Sequence, residues 1–478
     1  MTDIFIFGTG RFYERRKALL YRDWGIENVA GFLDNRRTGM FEGKTVQRPS
    51  EEFAHRTENI LLMSASSDEM RQQLLELGVA SERILSWEEF SSRIQTGRLR
   101  IFSGQDMQST GKRILFIHIG LFYNGAAIAA INACLALKAR GYDVSLAVPS
   151  YDDALLAYTC GLGIMVIHCP TLPWVLEAER CWIRTFNIVI VNVYQMMAAV
   201  CEIMKFRPVL WWIHEADDVH SHLYSQTRER YPEYAEEQQF DGVRILAVNA
   251  IGKRAFEEYY PQRIDGILPY GVPNEVWNAP RTKKEDCIGV AILGAIFPLK
   301  GQDIFLEAIR RLPEEARRRG RFYLIGELSG SAEYNRKIKT EVGEMPGVEL
   351  TGQMTRRDLK RFYSNIDVVV SASLVDNLPV VVTEGLMNGR ICIVTDAVGH
   401  AQEAIRDGEN GFICKAGDAE SLAEKMAYVI EHIDELGPMR EKARKTYEKY
   451  FSMKVFGERL ERELLLTERK YWERKKKE

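Results

Sequence analysis

Ser371-Ala-Ser-Leu-Val-Asp376-Asn377-Leu378-Pro379-Val-Val-Val-Thr-Glu384-Gly-Leu-Met-Asn-Gly389 directly follows the apolar run Val368-Val369-Val370. The run reads as a buried strand, and Pro379 suits the first turn of a helix, where its missing N–H costs nothing. Asp376, Asn377 and Leu378 then form a loop before a helix N-terminus, whose free N–H groups and positive dipole end suit a phosphate. Glu384 stands five residues beyond Pro379, about 7.5 Å along the axis at 1.5 Å per residue. A carboxylate at that distance from a diphosphate is placed to accept both hydroxyls of a ribose. One helix end thus suits phosphate and sugar together.

The same unit, an apolar strand with a Gly-containing turn and a helical pattern after it, opens three parts of the chain. Ile4 to Phe7 precedes Gly8-Thr9-Gly10; Ile114 to Ile119 precedes Gly120 and Asn124-Gly125; Ile288 to Leu293 precedes Gly294 and Lys300-Gly301. Continuous apolar strands alternating with amphipathic helices predict parallel sheets covered on both faces, an α/β fold. Two stretches have loop composition, 96–112 and 278–286, the second with Pro280. Cutting there gives domains at 1–95, 112–277 and 285–450, with 451–478 a charge-laced terminal helix. A length of 478 residues fits three domains at about 150 residues each.

With 64 Lys and Arg against 67 Asp and Glu, the net charge is −3, and 46% of residues are apolar. That balance excludes a disordered chain and a whole-chain electrostatic grip on nucleic acid. The eight cysteines contain no CxxC pair, so they read as reduced thiols in a cytoplasm. MTDIFIFGTG lacks the pattern of a signal peptide. Ile188 to Met204 is the best candidate span, but Asn192, Gln195 and Glu202 interrupt it, and a span needs about 20 mostly apolar residues. The basic tail with Tyr471 and Trp472 reads first as a solvated helix end complementing its dipole. Contact with the inner face of an anionic membrane is the other reading.

Asp376 and Glu384, seven residues between them, resemble the acid-x7-Glu motif of family 4 retaining glycosyltransferases, which have the GT-B fold of two Rossmann-like domains facing a cleft. Thr395-Asp-Ala-Val-Gly399 and Asp407-Gly-Glu-Asn-Gly-Phe412 are similar to the family's following strand and turn. Gly352-Gln-Met354, Tyr363 and Ile366-Asp-Val368 are similar to the stretch bordering the nucleotide base. Leu293 to Asp303 resembles its Gly-Arg-x4-5-Lys-Gly loop, with Lys300 present and Ala295 where the family has arginine. One cation stabilises a departing diphosphate less than two do. His214, after Trp211-Trp212-Ile213, matches the family's sugar-binding histidine, and Asn124-Gly125 its first glycine loop.

The resemblance implies a nucleoside-diphosphate sugar as donor substrate, with UDP-sugar favoured, and no further cofactor. It implies a glycan or lipid-linked acceptor of cell-envelope or exported polysaccharide. Asp376 and His214 would orient the sugar, Lys300 would neutralise the phosphate, and Gly125, Met354, Asn377, Leu378, Pro379 and Glu384 would complete the donor site. No metal is implied. His220 and His222 beside His214 and Glu215 make only a weak zinc signature. The terminal helix is expected to cross back to the middle domain. A non-catalytic nucleotide-sugar sensor or scaffold is the alternative that Ala295 keeps open.

The first 95 residues are surplus to that chemistry. Gly8 and Gly10 are two glycines of a GxGxxG whose third place is Tyr13, and Asp34 ends a second strand 24 residues after Gly10. This pattern approaches a dinucleotide fingerprint. The region resembles small Rossmann-like modules fused to sugar-modifying enzymes and acyltransferases. Tyr13 is expected to crowd the helix against the strand, and the segment is short for an NAD-linked dehydrogenase. It reads as an accessory domain in which Gly8, Gly10 and Asp34 are the candidate nucleotide contacts.

Overall fold

The computed structural model describes residues 3–478 apart from 65, 88, 91–98, 104–110, 216–221, 231–233, 235–239, 262, 276 and 278–286. Most of the two expected joints therefore lies outside the described residues, as does His220.

The first sheet contains β1 (Ile4–Phe7), β2 (Val29–Leu33), β3 (Gly39–Phe41), β4 (Lys44–Gln47), β5 (Asn59–Leu62) and β6 (Ile84–Leu85). Their order is β3-β4-β2-β1-β5-β6, parallel except for the β3–β4 pair. Helix α1 (Arg11–Asp23) follows the glycine turn after β1.

The second sheet orders its strands β14-β13-β12-β11-β8-β9-β10-β7. They are β7 (Arg100–Phe102), β8 (Arg113–Ile117), β9 (Asp143–Val148), β10 (Met165–His168), β11 (Ile188–Asn192), β12 (Val209–Ile213), β13 (Arg244–Ala247) and β14 (Gly266–Ile267). All pairs are parallel except β10–β7. Helix α2 (Gly125–Lys138) follows β8. β7 departs from the sequence expectation, because Arg100-Ile-Phe102 falls within a stretch of loop composition. It is strand only because His168, Ile167 and Val166 of β10 offer it an edge, and three residues carry no local period. The apolar run from Ile188 is β11 followed by a short helix over Met197–Ile203.

The third sheet is wholly parallel, ordered β17-β16-β15-β18-β19-β20. It comprises β15 (Ile288–Leu293), β16 (Gly320–Ile325), β17 (Val348–Gly352), β18 (Val368–Ser371), β19 (Ile391–Thr395) and β20 (Phe412–Cys414). Helix α3 (Gln302–Arg311) follows β15, and α4 (Val380–Met387) follows β18.

β8, β11, β12, β15, β18 and β19 are buried along nearly their whole lengths. Such strands need cover on both faces, which accounts for their unbroken apolar sequences. One apolar core runs from the second sheet (Ile114, Trp212) through Tyr270 and Trp277 to Leu378 and Val382, before and within α4, and to Val369 and Val394 on the third sheet. The first sheet has two cores of its own, one around Phe5, Phe7 and Phe53, the other around Ile4, Ile6 and Tyr13 and joined by Leu176 from the second unit.

Helix α5 (Met453–Lys475) lies against α2 and β12. It buries Phe456, Leu460 and Leu464 in the shared core. Lys112–Glu468 and Lys470–Asp265 ion pairs at 2.7 Å, with Arg140–Glu461 and Arg244–Glu463, line its edges. The chain end thus closes back on the second sheet's unit. Tyr471 is buried on that surface while Trp472 is exposed. Among the described residues, no helix is long and apolar enough to cross a membrane.

Candidate functional site

β15 ends at Leu293, and a single turn over Pro298–Lys300 leads to Gly301. Gly301 has φ +69°, and a Cβ there would meet the Ala372 carbonyl oxygen at 2.1 Å. Only glycine allows the loop after β15 to lie on the backbone after β18, which brings Lys300 to Asp376. Lys300 Nζ donates to Asp376 Oδ2. Ala295, at the expected arginine position, contributes its carbonyl to Gln302 Nε2 at 3.0 Å.

The Asp376 to Leu378 loop is fixed on both sides. Asp376 N–H donates to Ala397 O at 3.2 Å, and Gly399 N–H donates to Asp376 O at 2.9 Å. Asn377 Nδ2 donates to His214 O, Asn249 Nδ2 donates to Asn377 O, and the Tyr270 hydroxyl donates to Leu378 O. These three bonds join the third sheet's loop to the second unit. Pro379 is the residue before α4 (φ −61°, ψ 123°), so the helix starts one position later than its sequence suggests.

Glu384 lies on α4, 2% exposed, in an ion pair with Arg356. Arg356 also faces Glu275 at 3.6 Å. Burial pushes the Glu384 carboxyl above its ordinary range, against the pull of Arg356. Half-buried Met354 lies in the loop after β17, and Arg356, two residues on, is the first residue of the helix over Arg356–Phe362. Beyond it, fully buried Tyr363 meets Trp277 edge-on at 4.5 Å.

On the facing unit, His214 follows β12, its ring 4.3 Å from that of Trp212. Burial pushes its pKa down to about 3, with His118 adding to the effect, so the imidazole is neutral. Glu215 Oε2 accepts from Tyr194 N–H at 3.0 Å and His214 N–H at 3.1 Å. Burial raises its carboxyl to about 7 against those bonds. Gly125 is the first residue of α2, behind an Asn124 cap that accepts from Ala127 N–H at 2.9 Å. A Cβ at Gly125 would meet nothing within 4 Å, so packing does not demand glycine there.

Lys300, Asp376, Asn377 and His214 therefore form one linked chain across the carboxyl ends of the two sheets, the usual ligand edge of parallel α/β folds. Tyr270 is 3% exposed, and burial pushes its hydroxyl well above the ordinary range, with the charges of Asp376 and Glu384 adding to the effect. Sequence reading missed Arg356, Asn249 and Tyr270. None of them stands in a motif, and each is recognisable only by its partner in space.

In the first unit, Gly8 has φ +108°, and a Cβ there would meet Met63 O at 2.7 Å. Gly10 precedes α1 with no such restriction. Asp34 accepts from Thr9 N–H (3.1 Å), Thr9 Oγ1 (2.7 Å) and the amides of Arg36 and Arg37. Burial acts to raise its pKa, but these bonds prevail and hold it below the ordinary range. Its carboxylate thus ties the glycine turn to the end of β2. Tyr13 does not crowd the helix off the sheet. Its ring packs edge-on against Phe32 at 5.4 Å and its hydroxyl donates to Glu42 at 2.8 Å.

Residues 274–446 match the family model described as Glycosyl transferases group 1. Among curated proteins, the chain is 30% identical over 175 residues to D-inositol 3-phosphate glycosyltransferase of Mycobacterium ulcerans (strain Agy99), covering 34% of this chain and 36% of that protein. The chain thus spans about a third of the length of the curated relatives it matches. Among solved structures, Anabaena HepE in complex with UDP and glucose superposes with a TM-score of 0.60 at 15% identity, over 74% of this chain and 99% of that one. WaaG, a glycosyltransferase involved in lipopolysaccharide biosynthesis, superposes with a TM-score of 0.54 at 16% identity, over 73% and 98%. The chain has the GT-B fold, preceded by a further sheet over residues 4–85, and its residues 274–446 match the Glycosyl transferases group 1 model.

Proposed function

We propose that the protein is a retaining, family 4 glycosyltransferase that moves a sugar from a UDP-sugar to a hydroxyl of a glycan or lipid-linked glycan. The observation that carries this reading is the linked chain Lys300–Asp376–Asn377–His214 between the two halves, within and beside the segment that matches the family model. The UDP bound by HepE supports the choice of donor base. The relatives' names support an envelope or lipopolysaccharide glycan as acceptor.

In this reading the diphosphate rests on Lys300 and the N-terminal end of α4, where unpaired amides meet an anion. Glu384 holds the ribose, with Met354, Leu378 and Pro379 beside the nucleotide. His214 and Asp376 orient the sugar. The C1–phosphate bond breaks while the acceptor oxygen bonds to C1 on the same face, and the leaving phosphate oxygen takes the acceptor proton. Charge on the leaving group is met by fixed dipoles and one lysine, without a metal.

The test is incubation of the full chain with labelled UDP-glucose, UDP-galactose and UDP-N-acetylglucosamine, with and without EDTA. Transfer, or slow donor hydrolysis, that survives EDTA and retains anomeric configuration is the expected result. UDP binding without turnover would favour the sensor reading that Ala295 keeps open. Activity lost to EDTA and restored by Mn²⁺ would overturn the metal-free step.

A further inference from the structure

Each acid of the loop-and-helix motif stands against a cation. Lys300 Nζ donates to Asp376 Oδ2, and Arg356 Nη1 donates to Glu384 Oε1. The first pair joins two loops of the donor site. The second pair involves a residue to which the chemistry proposed for the donor gives no role. The Arg356 side chain is 51% exposed, whereas that of Glu384 is 3% exposed. The guanidinium therefore covers the carboxylate from the solvent side, where a ribose has to enter. A buried carboxylate needs donors around it, so an entering ribose exchanges its hydroxyls for the guanidinium.

That exchange moves one side chain. Thr355 caps the helix over Arg356–Phe362, its Oγ1 accepting from Asp358 N–H at 3.2 Å, which holds the backbone of Arg356. Among the described residues, the other carboxylate within ion-pair reach of Arg356 is Glu275, with Oε2 3.6 Å from Nη2. That oxygen is already met by Lys360 Nζ at 2.5 Å and Trp277 Nε1 at 3.3 Å. Glu275 and Trp277 are in turn fixed to the end of α4, through Met387 Sδ and Asn388 Oδ1. Glu275 is thus satisfied without Arg356. The Trp277 ring lies 5.0 Å from the guanidinium and attracts it without fixing its direction.

In a nucleoside diphosphate the ribose is joined to its phosphate through a single CH2 group. A guanidinium pushed off the ribose carboxylate therefore stands next to that phosphate, whose oxygens match its planar fork. The charge of the site calls for it as well. The loop after β15 supplies Lys300 but has Ala295 where the resemblance places arginine, which leaves the diphosphate one lysine.

We infer that Arg356 is the second cation of the donor site and changes partner on binding, giving up Glu384 to the ribose hydroxyls and taking the diphosphate. The inference rests on the reading of this cleft as a nucleoside-diphosphate-sugar site.

The experiment compares UDP with uridine, which has the ribose and no phosphate, on the full chain. Calorimetry reads UDP and ligand-observed NMR reads uridine. Arg356→Met is expected to bind UDP about tenfold more weakly, the loss of a charge-assisted hydrogen bond. The same variant is expected to bind uridine equally or a few-fold more tightly, because no guanidinium has to be displaced. Arg356→Lys should regain most of the UDP affinity, and Arg356→Gln serves as the neutral variant should Arg356→Met not fold. A parallel loss for UDP and uridine would overturn the exchange and leave Arg356 as a support of Glu384. A parallel gain would overturn it too, leaving Arg356 as an obstruction. Either result, with UDP still bound by wild type, leaves the glycosyltransferase reading standing. If wild type binds none of UDP, GDP and ADP, that reading falls and the exchange falls with it.

Discussion

Lys300 and Asp376, 76 positions apart, are ion-paired where the loops after β15 and β18 meet. A diphosphate arriving at Lys300 must compete with a carboxylate already there. Lys300→Ala should therefore weaken UDP binding by about tenfold or more, the value of a charge-assisted hydrogen bond. Asp376→Asn should leave UDP binding equal or a few-fold tighter while cutting sugar transfer by about a hundredfold. Calorimetric titration of both variants checks this. Equal weakening in the two would mean that the pair only shapes the loops.

Glu384 and Arg356 present the reverse situation, because the acid is buried and its cation is half in water. Glu384's raised pKa means that its favourable contribution is complete below the ordinary value and fades as pH rises through the raised one. Arg356 restrains that loss by favouring the ionised form. Arg356→Met should thus be destabilised by about 1–3 kcal/mol at alkaline pH and by clearly less near pH 5. Glu384→Gln in the same background should flatten the difference. Urea midpoints across pH read both effects, and a pH-independent loss would assign Arg356 to packing alone.

Two glycines in the candidate site separate folding from ligand effects. Gly301→Ala combines a left-handed φ with a 2.1 Å approach to Ala372 O, and should cost more than about 2 kcal/mol. Gly125→Ala meets open space and should change stability by less than about 0.5 kcal/mol. If sugar transfer nevertheless falls in Gly125→Ala, the ligand is what comes close to that backbone. Melting temperatures beside transfer rates make the comparison.

What could be read from the residues was whatever is local. The runs starting at Ile4, Ile114 and Ile288 announced buried parallel strands because such strands are apolar without interruption. Asp376 and Glu384 stood out because their spacing survives in one helix and its preceding loop. Partners distant in sequence could not be read. Arg356 is one arginine in a basic stretch until the fold sets it on Glu384. His118 and Asn192 look like ordinary strand ends until β8 and β11 lie side by side and leave their outer atoms unbonded. Arg100–Phe102 carried no period of its own and became a strand only on the edge of β10.

Glu215 links this geometry to pH. Its Oε2 receives the amides of Tyr194 and His214, pinning the ends of β11 and β12 together. Val193, next to Tyr194, has φ +79°, an uncommon conformation for a β-branched residue. The Trp211 indole N–H holds its carbonyl at 2.9 Å. Burial raises the Glu215 carboxyl to about 7. Its stabilising contribution is therefore complete below the unfolded value near 4.5 and is lost as pH rises through about 7. Glu215→Gln keeps an acceptor for both amides and has no proton to lose. Wild type should lose on the order of 2–3 kcal/mol from this group between about pH 5 and pH 8, and the variant should not. Urea midpoints of the two proteins over that range measure the difference directly. Parallel profiles would mean that Glu215 is ionised throughout, with the two amides outweighing its burial.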